Sequence, residues 1–285
     1  MEATTLMLLA LMRSPHQPCE LGGRGEARDV LSAPSNAMPT GNAPPLKLLP
    51  ASLPRHEQTR YDIRYGLLGS IGQLSLSAGG VTIEKDGSPI VKVHGVGKGA
   101  VLGFGAMEHR LDADFDPRAL SSRRWKVARR KQGDDEKDET VDRGERGQRD
   151  ELRLERRRPG RPDERFTLTP ALSTSDPLGM LWRLRTAPPP LGASQTSQVF
   201  DGLALWRVRA TTVAIDDRVP ETGAPAMRLQ GEWSPVYYSG EIDPDRTARR
   251  FTLWLAPTGS HLPLRLEVPV GPGDLVMTLA ESGRT

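Results

Sequence analysis

Cysteine is nearly absent, with Cys19 alone in 285 residues. A lone thiol excludes an intramolecular disulfide and any zinc site built from several cysteines, and it leaves the redox compartment open. Long apolar runs are missing too: no stretch reaches the roughly 20 residues that cross a bilayer as a helix, so the body of the chain reads as soluble, with no transmembrane segment. Charge of one sign is scarce. The 39 Lys and Arg against 36 Asp and Glu leave a formal +3, which does not mark a specific nucleic-acid binder.

Catalytic and cofactor signatures are lacking as well. His16, His56, His94, His109 and His261 are scattered, with no H-x-x-x-H or H-E-x-x-H spacing to hold a metal on one helix face. His94 and His109 are expected on exposed strand faces and His261 in a loop. Neither G-x-S-x-G nor G-x-x-x-x-G-K-[ST] occurs. Asp112, Asp114 and Asp116 alternate and would share one strand face, but a calcium loop needs glycine and glutamate where Pro117 and Arg123 stand. They read as a polar strand end entering a turn. Gly95, Gly97, Gly99, Gly103 and Gly105 have no helix after them to present amides to phosphates, so they read as places where a strand bends or a backbone approaches closely. The sequence therefore assigns no catalytic residue, no metal ligand and no cofactor.

What is present is organised in two parts. Leu6 to Met12 is a short apolar run with Glu2 where a signal peptide carries a basic residue, and Pro18 precedes Cys19 where a lipoprotein needs a small residue. With the Pro-rich stretch to Arg55, residues 1–55 read as a degenerate signal-like segment and a disordered, dispensable tether. From 56 to 282 the pattern is that of one β domain. Tyr61, Ile63, Tyr65 and Leu67 alternate as on a half-buried strand, followed by Gly66, Gly69 and Gly72, which permit bulges or curvature. Asp86-Gly87 and Asp201-Gly202 suit tight hairpins. Trp206 to Ile215, Phe251 to Leu255 and Leu262 to Val270 continue a meander, with Leu262, Leu264, Leu266, Val268 and Val270 on one face and Arg265 and Glu267 turned away.

One helix is expected. Ser175 or Asp176 can cap it, Pro177 suits its first turn, and Leu178, Leu181 and Trp182 form an inward stripe that leaves Arg183 and Arg185 in water. The charge-rich stretch 131–164 reads as a solvated hairpin insertion with arms at Arg124–Arg130 and Glu151–Arg157. The fold class is thus mainly β: a curved antiparallel sheet, an open or half barrel, with one short helix packed against it.

The runs Tyr61 to Gly69, Asp176 to Arg185, Phe200-Asp201-Gly202, Phe251 to Leu255 and Leu262 to Leu266, in that order and spacing, resemble the domain-of-unknown-function family 3108 over nearly all of 56–282. The resemblance implies a lipocalin-like or lipoprotein-carrier-like open barrel and export to the periplasm or cell envelope, and it brings no catalytic residues. This chain departs from the family in its long charged stretch and poor signal segment. A curved sheet without catalytic motifs suggests a non-enzymatic binder of an apolar small molecule or lipid, on a concave face lined by Tyr61, Tyr65, Trp182, Leu253 and Leu264. The alternatives are an envelope interaction module that contacts a protein partner through the charged stretch, and a hydrolase or lyase built on an open barrel.

Overall fold

A computed structural model describes residues 56–101, 105–131, 139–147, 151–169, 174–200, 205–237, 239–259, 261–271 and 273–284. The expectations for residues 1–55 and for the Asp201-Gly202 turn lie outside them. Among the described residues fifteen strands form a single sheet: β1 (Glu57–Tyr65), β2 (Ser70–Ile83), β3 (Pro89–Val101), β4 (Gly105–Asp116), β5 (Ser121–Lys131), β6 (Thr140–Arg146), β7 (Leu152–Arg157), β8 (Glu164–Leu168), β9 (Thr174–Ser175), β10 (Ser194–Phe200), β11 (Leu205–Arg218), β12 (Pro225–Val236), β13 (Arg249–Leu255), β14 (Pro263–Val270) and β15 (Gly273–Arg284). One helix, α1 (Pro177–Thr186), follows β9. Among the described residues, no helix is long and apolar enough to cross a membrane.

The strand order is β8-β7-β6-β5-β4-β3-β2-β1-β15-β14-β13-β12-β11-β10-β9. From β1 in mid-sheet the strands move outward one by one to β8, resume at the opposite edge with β9, and return to pair β15 with β1. All these pairs are antiparallel except β9 with β10. The Asp86-Gly87 turn is built as expected: Gly87 has φ +81°, the Glu84 amide donates to the Ser88 carbonyl, and Asp86 accepts from the Ser88 amide. Phe200 pairs with Leu205 across the other predicted turn.

Three local expectations need correction. Leu67 leaves the alternating run: it sits in a 3-10 turn between Gly66 and Gly69, both at positive φ, and is fully exposed (107%). Leu264 faces away from Leu266. A register shift opposite Trp254 and Leu255 adds a residue to β14, so Leu264 packs with Val219, Ala226 and Trp254, and Arg265 is buried over the Trp254 ring. The charge-rich stretch is not a single hairpin, because β6 lies between the presumed arms and pairs with both β5 and β7. Deleting 131–150 would remove that strand rather than a solvated tip.

The sheet curls without closing and folds over itself. Val199 and Trp206 face one core cluster, with Val208, Leu229, Phe251 and Leu253. Their neighbours Phe200 and Leu205, of opposite parity, pack with Val236 and with Leu152 and Leu154 of β7. The paired ends of β10, β11 and β12 are therefore buried on both faces, and the β5–β8 arm lies across their back. Arg146 of β6 donates to the Thr174 carbonyl of β9 at 2.6 Å, tying the two arms together.

Candidate functional site

The helix lies over the concave face at the end of the sheet where β1 begins. Asp176 is its N-cap: one carboxylate oxygen accepts from the Leu178 and Gly179 amides (3.0 and 3.1 Å), and the other accepts from the Ser122 amide of β5 at 2.6 Å. Gly179 allows this close docking, since a Cβ there would lie 2.4 Å from the Leu120 carbonyl oxygen. Leu178 and Trp182 are buried and Leu181 is half-buried, as the stripe predicts, and Leu184 joins them. The Trp182 ring sits 5.2 Å from that of Phe115. Arg185 departs from its expected place in water. It is 95% buried, lies 4.9 Å above Trp182, and donates to Glu57 at 2.8 Å, where Glu57 is itself 8% exposed. Three residues after Trp182 and four after Leu181, Arg185 continues the buried stripe and so reaches the Glu57 carboxylate at the start of β1.

Beneath α1 lies an apolar chamber. Its walls are Tyr61, Leu74 and Leu76, the helix residues Leu178, Met180, Leu181 and Leu184, and Trp233, Phe251, Leu253, Pro263, Leu266 and Met277. The free volume is about 60 Å³, with four helix side chains among the thirteen that wall it. Against the roughly 300–1,000 Å³ of small-molecule pockets, that is a closed site. A smaller void of about 20 Å³ adjoins it, sharing Tyr61, Leu76, Leu178, Leu181 and Pro263, and adds Glu57, Thr59, Trp182 and Arg185. The chamber thus has an apolar body and one polar end. Burial at that end pushes the Tyr61 hydroxyl up to about 12, against the opposing pull of Arg185 and the Thr59 hydroxyl.

Of the residues predicted from sequence, Tyr61 and Leu253 line the chamber and Trp182 lines the adjoining void. Tyr65 lies half-buried near the other end of β1, with its hydroxyl on the Val270 carbonyl at 2.9 Å. Leu264 is on the opposite face of the sheet. Sequence reasoning missed Glu57 and Arg185, which are 128 positions apart with no spacing to link them. It also missed Trp233 and Phe251, stacked at 5.0 Å, although their alternation with Gly231 on paired strands was a usable signal.

Elsewhere the polar sets resolve into cross-strand pairs. His94 is exposed and holds Asp112 at 2.7 Å. Ser77 stands opposite His94 on β2, completing a Ser–His–Asp row beside a groove of about 530 Å³, but its hydroxyl donates to the His94 backbone carbonyl at 3.4 Å. That hydroxyl therefore points to the backbone rather than to the imidazole it would need as a base. Asp114 pairs with Arg124, and Asp116 accepts from Arg123 and from the Arg118 and Ala119 amides as the expected turn former. His109 is buried, contrary to expectation, because the β4 positions that face the concave side include it with Leu111 and Ala113. The expected β3 glycines are partly accounted for: Gly95 leaves room that Leu76 and Leu111 occupy. His261 is in a loop at positive φ, its Nδ1 2.9 Å from the Ala256 carbonyl oxygen.

A family model described as "Protein of unknown function (DUF3108)" matches residues 60–280. The chain belongs to the DUF3108 family. A beta-barrel-like protein of domain of unknown function DUF1849 from Brucella abortus aligns with this DUF3108 member at a TM-score of 0.50 and 8% identity, over 82% of this chain and all of that one. That likeness shows a shared fold. The lipoprotein LppX of Mycobacterium tuberculosis (TM-score 0.24, 15% identity, 80% of this chain and 87% of that one) and LprF of Mycobacterium bovis (0.25, 11%, 81% and 87%) align more loosely. No curated protein matches the sequence.

Proposed function

We propose that this DUF3108 protein is a non-enzymatic binder of an apolar ligand, such as a lipid chain, held on the concave face beneath α1 in the periplasm or cell envelope. One observation carries the reading: thirteen residues wall the chamber, none is charged, and their only polar side-chain atoms are the Tyr61 hydroxyl and the Trp233 indole nitrogen. Such a surface favours hydrocarbon by roughly 25 cal/mol for each Å² it removes from water. The helix now occupies that surface with Leu178, Met180, Leu181 and Leu184, so the ligand enters as α1 moves aside. Export rests on the family resemblance.

Native mass spectrometry and lipid extraction of protein purified from its host test the reading, with a co-purifying apolar molecule expected. Leu181→Ala enlarges the chamber without touching the Asp176 cap. It should strengthen binding of the neutral probe N-phenyl-1-naphthylamine at a stability cost of about 2–5 kcal/mol or less, since Leu181 is only half-buried. A protein that carries no ligand from its host and binds the probe in neither form would overturn the carrier reading.

A further inference from the structure

We infer that the ligand is an amphiphile with a carboxylate head, its chain in the chamber and its head on Arg185 in place of Glu57. This rests on the proposed apolar site and names the class of ligand it takes. The chamber and the adjoining void share five wall residues, so a chain lying along Tyr61, Leu178 and Leu181 ends among Thr59, Glu57 and Arg185. Among the described residues, Arg185 is the only cation lining either space. Its guanidinium is fixed from two sides, by the Trp182 ring at 4.9 Å and by the Glu57 carboxylate at 2.8 Å.

Glu57 occupies the place a ligand head would take. A buried guanidinium needs a carboxylate, and planar two-point pairing is the geometry that group recognises best. In the closed state Glu57 supplies the carboxylate from the protein, through one contact from the Arg185 guanidinium at 2.8 Å. Glu57 lies in the first pairs of β1, opposite Arg284 on β15 and Ala78 on β2, and a change of side-chain rotamer frees its carboxylate while those backbone pairs stay in place. When α1 moves, Arg185 moves with it and must keep a carboxylate partner, which an entering acid provides. An alcohol or ester of the same length fills the chamber but leaves Arg185 dependent on Glu57. The head group therefore selects among chains that the apolar walls accept equally.

The test compares decanoate with decanol as competitors for bound N-phenyl-1-naphthylamine, on the intact protein. Decanoate should compete at least tenfold better than decanol. Glu57→Gln removes the internal competitor and should raise decanoate affinity severalfold without changing decanol. Arg185→Gln should abolish the preference, and if that variant does not fold, the Glu57→Gln arm still decides. Equal competition by acid and alcohol in the unmodified protein, or a Glu57→Gln variant with an unchanged ratio, overturns the carboxylate assignment and leaves the apolar site standing. Failure of the probe itself to bind overturns both.

Discussion

Between β10 and β14 the concave positions carry Val199, Trp206, Val208, Leu229, Trp233, Phe251 and Leu253, whereas between β4 and β7 the same alternation delivers His109, Arg129, Asp142 and Arg156 to the face of Leu111 and Trp125. Both sets are buried or nearly so. In the first arm hydrocarbon fills the interior. In the second, Asp142 bridges Arg129 at 2.5 Å and Arg156 at 2.7 Å, and the ion pairs substitute for packing. Two arms of one continuous sheet thus reach the same topology by different chemistry. A buried charge must be matched to survive, while an apolar residue need only fit.

The largest test of that difference deletes one interior group from each arm. Leu253→Ala should cost about 2–5 kcal/mol through lost transfer and cavity terms. Asp142→Ala should cost about 3–5 kcal/mol, because Arg129 and Arg156 lose the carboxylate they share. The arms should separate on rescue. Replacing Arg129, Asp142 and Arg156 together by Met, Leu and Met should recover most of the loss, since well-packed apolar groups often equal a buried ion network. Urea midpoints would read all of these. A triple variant less stable than Asp142→Ala alone would show that the charges specify the second arm's structure rather than merely fill it.

The helix joins the arms, so it should be nearly as sensitive. Leu178 and Trp182 belong to the cluster of Ala78, Val91, Val93 and Phe115, while Leu184 belongs to that of Leu229 and Leu253. Trp182→Ala is expected to cost about 3–5 kcal/mol. Arg183→Ala, on the same helix and only half-buried, should stay within about 0.5 kcal/mol. Equal, small shifts in the two urea midpoints would make α1 peripheral to both clusters.

Period-two alternation, Asp86-Gly87 and the Asp176-Pro177 start of α1 made the strands, one hairpin and the helix legible, because each is set by neighbours in sequence. What failed was long-range or out of phase. Leu264 was misplaced by a single-residue bulge, which inverts a strand's faces without altering its composition. Arg185 and His109 failed for another reason: both were read as solvated from residue type, although Arg185 follows Leu181 and Trp182 at helical spacing and His109 alternates with Leu111 and Ala113. The stretch near 131–164 looked like a solvated insertion because its charges neutralise across strands, and only the register of β5, β6, β7 and β8 shows that they do. Of the residues bordering the candidate chamber and its adjoining void, Tyr61, Leu253 and the stripe of Leu178, Leu181 and Trp182 were named from sequence. The polar end was not.

Tyr61, on the strand between the two arms, gives a pH test. Its folded pKa of about 12 lies above the ordinary value of 10.0. A raised pKa means the contribution to stability is fully present below pH 10, falls as pH rises from 10, and is lost above 12. The loss amounts to about 2–3 kcal/mol for a shift of this size. Stability curves from pH 9 to 12 should therefore be steeper for the unmodified protein than for Tyr61→Phe. Parallel curves would mean that the hydroxyl ionises freely and that the polar end of the chamber is wet.

The smallest effects come from a device that both arms use. Phe251 lies over Gly231 on the paired strand, and Trp125 lies over Gly144, so that a Cβ on either glycine would fall 2.0 Å from a ring carbon. Exchanging glycine for alanine inside a strand should by itself help by about 0.5–1 kcal/mol, because glycine loses more conformational freedom on folding. The ring overlap opposes this, at about 1–3 kcal/mol for overpacking. Which term wins depends on whether the ring can yield. Phe251 is 4% exposed and stacked on Trp233 in the apolar arm, so it has nowhere to go. Trp125 is only half-buried, at the margin between two clusters and beside an open groove of about 680 Å³. Gly231→Ala should consequently destabilise by about 1–2 kcal/mol net, and Gly144→Ala by less than about half of that. Urea midpoints together with near-ultraviolet circular dichroism of the tryptophans would measure both. Equal losses at the two glycines would mean that the charged arm is packed as rigidly as the apolar one, and the contrast between the arms would then lie in their chemistry alone.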